Sequence, residues 1–138
     1  PKKILNIDGW TGYEAPRERI LSRFAGHKNF VVLNGDEHQN FCGDLVLKDK
    51  VVGAEIVATS ISSGGDGSDK RAGTDEWLKL NPELKFANDQ RGYVVCEVGR
   101  EAWQSHFMVV DKVTTPVNTL SKRATAVVEN GVAGIKMA

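Results

Sequence analysis

The chain has 138 residues and a mass of 15.1 kDa, a size that suits one domain with a hydrophobic core of its own. Lys plus Arg number 18 and Asp plus Glu number 18, so the formal net charge is zero, which argues against a nucleic-acid binder that works by bulk positive charge. No run of about 18 apolar residues is present to span a membrane, and residues 1–9 lack the apolar stretch of a signal peptide.

The chain opens on Pro1 rather than methionine, so it is read as processed or as a piece of something longer. Cys42 and Cys96 are too few for a disulfide scaffold and match no zinc spacing, and they read as two buried thiols. Neither half of the chain looks able to fold alone, which keeps the reading at one domain.

The first periodic segment is 14–25, EAPRERILSRFA. Pro16 suits a first helical turn, Ile20, Leu21 and Phe24 share one face, and Gly26 stands where a C-cap glycine is expected. The apolar run 29–34, NFVVLN, predicts a buried strand of the kind found in parallel sheets. Residues 44–48 and 51–60 read as two strands joined by a hairpin turn at KDK, 48–50. SSGGDGSDKRAG, 62–73, is a glycine-rich loop. Residues 74–80 form a short helix, with Thr74 as N-cap and Pro82 just past its end. Strands follow at 92–98, 103–113 and 125–129, the first two joined by a turn at EVGREA. In the middle one, Trp103, Ser105, Phe107 and Val109 share a face. The fold class is α/β and β-rich.

The sharpest local feature is Gly35-Asp36-Glu37-His38, directly after the predicted strand. In an extended segment residues two apart point the same way, so Asp36 and His38 could offer a carboxylate and an imidazole to one metal ion. On spacing alone, a turn with a surface histidine is the commoner reading. In DGWTGY, Asp8 could reach the same site, with Trp10 and Tyr13 as walls, the alternative being that Trp10 and Tyr13 pack on the following helix as ordinary core. Thr59 and Ser60 open a hydroxyl-rich run, TSISSGG, that could bind an oxyanion or be a plain loop. Asn88 and Arg91 stand before a strand, where Arg91 could clamp a phosphate or carboxylate, or pair with Asp89.

Taken in order, DGWTGYEAPRERIL, VVLNGDEHQNF, the TSISSGG run and NP-x-x-x-F-x-N-x-x-RGY resemble the C-terminal part of the PhoD-like alkaline phosphatases over nearly the whole chain. The resemblance implies a metallophosphatase β-sandwich of two sheets flanked by helices, with residues 1–138 as the C-terminal part of that domain. It implies hydrolysis of phosphate mono- or diesters through a metal-activated hydroxide, with Fe and Ca as cofactors. It makes Asp36 and His38 metal ligands, and leaves Asp8, Trp10, Thr59, Ser60, Asn88 and Arg91 as walls of the site. In the family most ligands lie upstream, which implies that this chain alone is inactive. A non-catalytic β-rich binding or interaction module is the alternative. The expected partners are a phosphoester substrate and either a copy of the chain or a missing N-terminal segment, with no bulk nucleic-acid binding and no membrane span. A secreted or periplasmic location is also implied.

Overall fold

The computed structural model describes residues 9–138. In chain order it contains a 3-10 turn (Trp10–Gly12), α1 (Glu14–Phe24), β1 (Val31–Asn34), β2 (Asn40–Leu47), β3 (Lys50–Val57), α2 (Thr74–Leu80), β4 (Leu84–Asn88), β5 (Gly92–Val98), β6 (Ala102–Val110), β7 (Leu120–Glu129) and β8 (Lys136–Met137). These build two four-stranded sheets, ordered β1-β3-β2-β4 and β5-β6-β7-β8. The β-rich class expected from the sequence is what the chain adopts.

The sheets pack face to face. Cys42, Ala54 and Ile56 of the first meet Phe107, Ala126 and Val128 of the second in one buried cluster, with Ile135 alongside. The Phe86 and Phe107 rings join the two layers at 4.9 Å between centroids. A second cluster, Leu21, Leu45 and Val52, seats α1 on the outer face of the first sheet. The β2–β3 register shifts between Leu45 and Val46, leaving Val52 as an extra residue. That bulge turns Val52 to the helix side, away from Ala54 and Ile56. The layer order is therefore α1, first sheet, second sheet.

Several expectations are corrected. β1 does run parallel to β3, but it is an edge strand with Leu33 55% exposed, because β3 flanks it on one side only. Of the apolar face of α1 only Leu21 is buried. Phe24 stays exposed while stacking on Phe30 at 4.7 Å, and Ile20 and Tyr13 are also exposed. Gly26 does not adopt a left-handed conformation, and Ala25 closes the helix with right-handed angles. The KDK turn holds, with Lys48 and Asp49 both at positive φ, the backbone a two-residue hairpin of matching twist requires. Gly73, not Thr74, caps α2. β4 was not expected, because Lys85 and Asn88 interrupt its apolar residues. Its register against β2 (Asn40 to Asn88, Phe41 to Ala87) is set by tertiary pairing. Cys42 is buried and its thiol is pushed up to about 12 by desolvation and by Asp44, while Cys96 is exposed on the edge strand β5, so only one thiol is core.

Candidate functional site

β1 and β3 are parallel, and β4, antiparallel to β2, runs the same way. The carboxyl ends Asn34, Val57 and Asn88 therefore reach one rim, where β2 also begins. Ligands of open sheets with parallel strands bind at such ends. Three segments meet there: the Gly35–Gln39 loop, the Ala58–Gly73 loop and residues 88–91.

Arg91 ties them together and is 2% exposed. Its Nη1 donates to the carbonyls of His38 (2.8 Å) and Ser63 (2.9 Å) and to Ser60 Oγ (3.0 Å). Its Nη2 donates to the Asp89 carbonyl and to Asp89 Oδ1 at 3.2 Å. The four Nη hydrogens thus face five protein acceptors. Among the described residues Nε is buried without a partner. Asp89 also meets Arg71 at 3.4 Å. A guanidinium so engaged holds backbone in place and has no Nη hydrogen left over for a phosphate.

Around it lies a satisfied amide network. Fully buried Asn40 donates through Nδ2 to Asn88 Oδ1 at 3.0 Å and accepts from the Thr59 N–H at 3.2 Å. Asn88 donates to the Asp69 carbonyl at 3.1 Å and to Gln90 Oε1 at 3.0 Å. Thr59 Oγ1 donates to the His38 carbonyl at 3.1 Å, and Ser60 Oγ to the Ser63 carbonyl at 3.1 Å. Buried networks with every member paired fix one geometry.

The Gly-Asp-x-His segment is not extended. Asp36 has φ 70° and His38 φ 57°, with the Glu37 N–H donating to the Gly35 carbonyl at 2.9 Å. Both residues are exposed. Left-handed angles outside glycine are uncommon, although Asp and His tolerate them better than most, and they persist where the surroundings over-determine them. Arg91 and Thr59, bonding the same His38 carbonyl, supply that restraint. The His38 ring lies beside Ser63 Oγ, 3.3 Å from Nδ1 and 3.5 Å from Nε2.

His38, Thr59, Ser60, Asn88 and Arg91 are thus brought to one rim, with Asp36 two residues from His38. Trp10 is elsewhere, packed against Leu21, Leu45 and Val52 under α1. Asp8 lies outside the described residues. Asp89 is the acid expected to pair with Arg91, and the pair forms at 3.2 Å, whereas Ser63 and Asn40 belong to the assembly without having been named as site residues. Ser63 carried a signal as a hydroxyl in the TSISSGG run, whereas Asn40 is a polar residue at a strand start with nothing local to mark it. A carboxylate and an imidazole are donors that suit a metal ion, but two donors make an incomplete shell. Among the described residues no group of three or more His, Cys, Asp or Glu side chains stands close enough to hold one. A cavity of about 200 Å³ on the outer face of the first sheet is lined by Phe41, Glu55, Val57 and Leu84 among others, and neither Asp36 nor His38 borders it. Burial raises the Glu55 carboxyl there, opposed by the Asn34 amide and then by Arg17.

The glycine-rich loop is fastened by two carboxylates. Asp66 accepts the N–H groups of Val113 (2.7 Å) and Thr114 (2.9 Å), and these bonds hold it below the usual carboxylate range. Asp69 is lowered first by its bonds from Arg123 and also by Asn88. A carboxylate lowered on folding stabilises fully above its ordinary value, here 3.8, and that contribution is lost as pH falls through the lowered value. The Val113 and Thr114 amides should therefore exchange faster at about pH 3 than at about pH 6 once intrinsic rates are divided out. Equal protection at both would show that Asp66 does not hold the loop.

The family model of the PhoD-like phosphatases matches residues 1–107. Alkaline phosphatase D of Bacillus subtilis (strain 168) is 41% identical over 140 residues, covering 96% of this chain and 24% of that protein. The solved structure of PhoD superposes with a TM-score of 0.89 at 41% identity, covering 96% of this chain and 27% of that one. The chain thus spans about a quarter of the length of the relatives it matches.

Proposed function

Because the chain belongs to the PhoD-like phosphatase family, we propose that it is the C-terminal part of a metal-dependent phosphatase domain and carries that enzyme's Gly-Asp-x-His loop. The whole protein would hydrolyse phosphate mono- or diesters, with Fe and Ca as cofactors. Asp36 and His38 would be two of the metal ligands, and the others would come from outside this chain. The observation that supports this reading is the match of the PhoD-like family model over residues 1–107, which includes the Gly-Asp-x-His loop whose His38 carbonyl is held by Arg91 and Thr59.

The chemistry such a centre supplies when bound is neutralisation of the phosphoryl oxygens and activation of water for in-line attack. The chain's own part is orientation. Asp36 and His38 would offer their donors from this loop, and the bonds that Thr59 and Arg91 make to the His38 carbonyl keep its backbone from relaxing. Thr59, Ser60, Asn88 and Arg91 form the floor. The isolated chain would be inactive, since two ligands cannot hold a metal pair against water. A secreted or periplasmic location belongs to the same proposal. No described helix is long and apolar enough to cross a membrane.

The test is hydrolysis of p-nitrophenyl phosphate and its bis-ester by the full-length protein with added Fe and Ca. The double variant Asp36→Ala, His38→Ala should abolish hydrolysis, a loss well beyond the roughly 100-fold that disturbing a metal site's supporting groups costs. Both side chains are exposed, so the loss of stability should not exceed the roughly 1–2 kcal/mol per residue that alanine costs at a left-handed φ, and activity is read well below the unfolding midpoint. Unchanged hydrolysis would end the ligand assignment.

The exposed apolar side chains of α1 and the open edge at Leu33 further suggest that the isolated chain associates with a copy of itself or with the remainder of the longer protein. Light scattering of the isolated chain at high concentration should show species above the monomer mass, and a clean monomer would overturn self-association and leave the remainder of the longer protein as the occupant.

A further inference from the structure

We infer that Arg91 is a positioning residue of this site and not a substrate clamp: its guanidinium locks the His38 and Ser63 backbones in one register, so that the Ser63 hydroxyl orients the His38 imidazole. The inference rests on the metallophosphatase reading above. A surface arginine before a strand would be free to grip a phosphate. Arg91 is instead buried at 2% exposure, and its Nη1 bonds the His38 and Ser63 carbonyls at once, at 2.8 and 2.9 Å. Those two residues stand 25 apart in sequence and face one another through Ser63 Oγ and the imidazole, at 3.3 Å from Nδ1. Ser63 Oγ is nearly equidistant from the two ring nitrogens, 3.3 Å from Nδ1 and 3.5 Å from Nε2, so it bears on the ring edge between them and limits how the imidazole can turn. His38 and Ser63 would otherwise sit on separate loops with no direct backbone bond to fix their separation.

The fit around the guanidinium is close. A Cβ on Gly67 would stand 3.0 Å from Nη2, and one on Gly64 would stand 3.7 Å from Nη1. Lysine offers a single point charge on a flexible stem and cannot bond this spread of acceptors. The charge of Arg91 is met by Asp89 within the fold.

The test uses the full-length protein and three variants: Arg91→Lys, Ser63→Ala and the double Asp36→Ala, His38→Ala. Metal content after desalting is measured by mass spectrometry, kcat and KM with p-nitrophenyl phosphate, and product inhibition with inorganic phosphate. Arg91→Lys and Ser63→Ala should each lower metal occupancy and reduce kcat by about 10–100-fold. KM and the inhibition constant for phosphate should stay within about twofold of wild type, because neither residue touches substrate. Ser63→Ala keeps the carbonyl that Arg91 binds and removes only the hydroxyl beside the imidazole, so it decides the question if Arg91→Lys fails to fold. Full metal content and kcat in Ser63→Ala would overturn the inference. So would Arg91→Lys retaining its metal while KM and the phosphate constant rise tenfold, the mark of a clamp. The double variant separates the two levels. If it stays active, the metallophosphatase assignment fails with everything built on it. If it is dead while Ser63→Ala and Arg91→Lys behave as wild type, only the positioning role fails.

Discussion

Gly67→Ala should destabilise the protein by about 2–5 kcal/mol. Gly67 sits at φ +73°, where a Cβ costs roughly 1–2 kcal/mol. It also lies against backbone: an added Cβ would stand 1.9 Å from the Asp89 carbonyl oxygen and 2.7 Å from its carbon. Neither atom can swing aside. Asp89 is buried, and its carbonyl accepts from Arg91. Overpacking a well-packed site adds about 1–3 kcal/mol. Gly65→Ala supplies the control. Gly65 has nearly the same φ, +75°, but nothing within 4 Å of the added carbon. It should show the strain of about 1–2 kcal/mol alone. Urea unfolding of both variants isolates the packing part. Equal midpoints would mean that the loop lifts off Asp89 freely, and Arg91 would then not be held from that side.

What could be read from the sequence divides along the line between local and distant causes. α1 was legible because Pro16 and the spacing of Leu21 and its neighbours act within a few residues, and its observed end falls one residue from the expected one. The Lys48-Asp49 turn and the β5–β6 hairpin were legible for the same reason. β4 was not, since LKFAN has no clean alternation and owes its strand form to pairing with Asn40–Gly43. The extended geometry expected for Asp36 and His38 failed for a related reason. Their left-handed backbone depends on bonds to the His38 carbonyl from Thr59, 21 residues away, and Arg91, 53 residues away. The candidate residues of the rim were visible as types, since hydroxyls, amides and an arginine cluster in the two later motifs. Their arrangement was not, and neither was the pairing of every Arg91 Nη hydrogen within the protein. Trp10 shows the reverse: an aromatic beside a motif that turned out to pack as core under α1.

Phe107→Ala should cost about 3–5 kcal/mol, the range for removing a fully buried phenylalanine from a core. Phe107 is 0% exposed and the largest fully buried side chain among the described residues. It stands on β6 between Val94 of β5 and Ala124 of β7, and its ring meets Phe86 of the opposite sheet at 4.9 Å. Cys42, Ala54 and Ile56 belong to the same cluster from the facing layer, and none is large enough to fill the space left behind. The loss therefore combines lost apolar transfer with a residual cavity, because neighbours on two hydrogen-bonded sheets relax only partly. Val98→Ala makes the comparison, since Val98 is 67% exposed at the end of β5 and should change stability by less than about 0.5 kcal/mol. Chemical denaturation should show one transition shifted as a whole for Phe107→Ala, because the side chain of one sheet packs into the core shared with the other. If the second sheet melted separately and the first kept its midpoint, the shared core would not couple the layers. The rim at the ends of β1, β3 and β4 would then draw its rigidity from the Arg91 network alone.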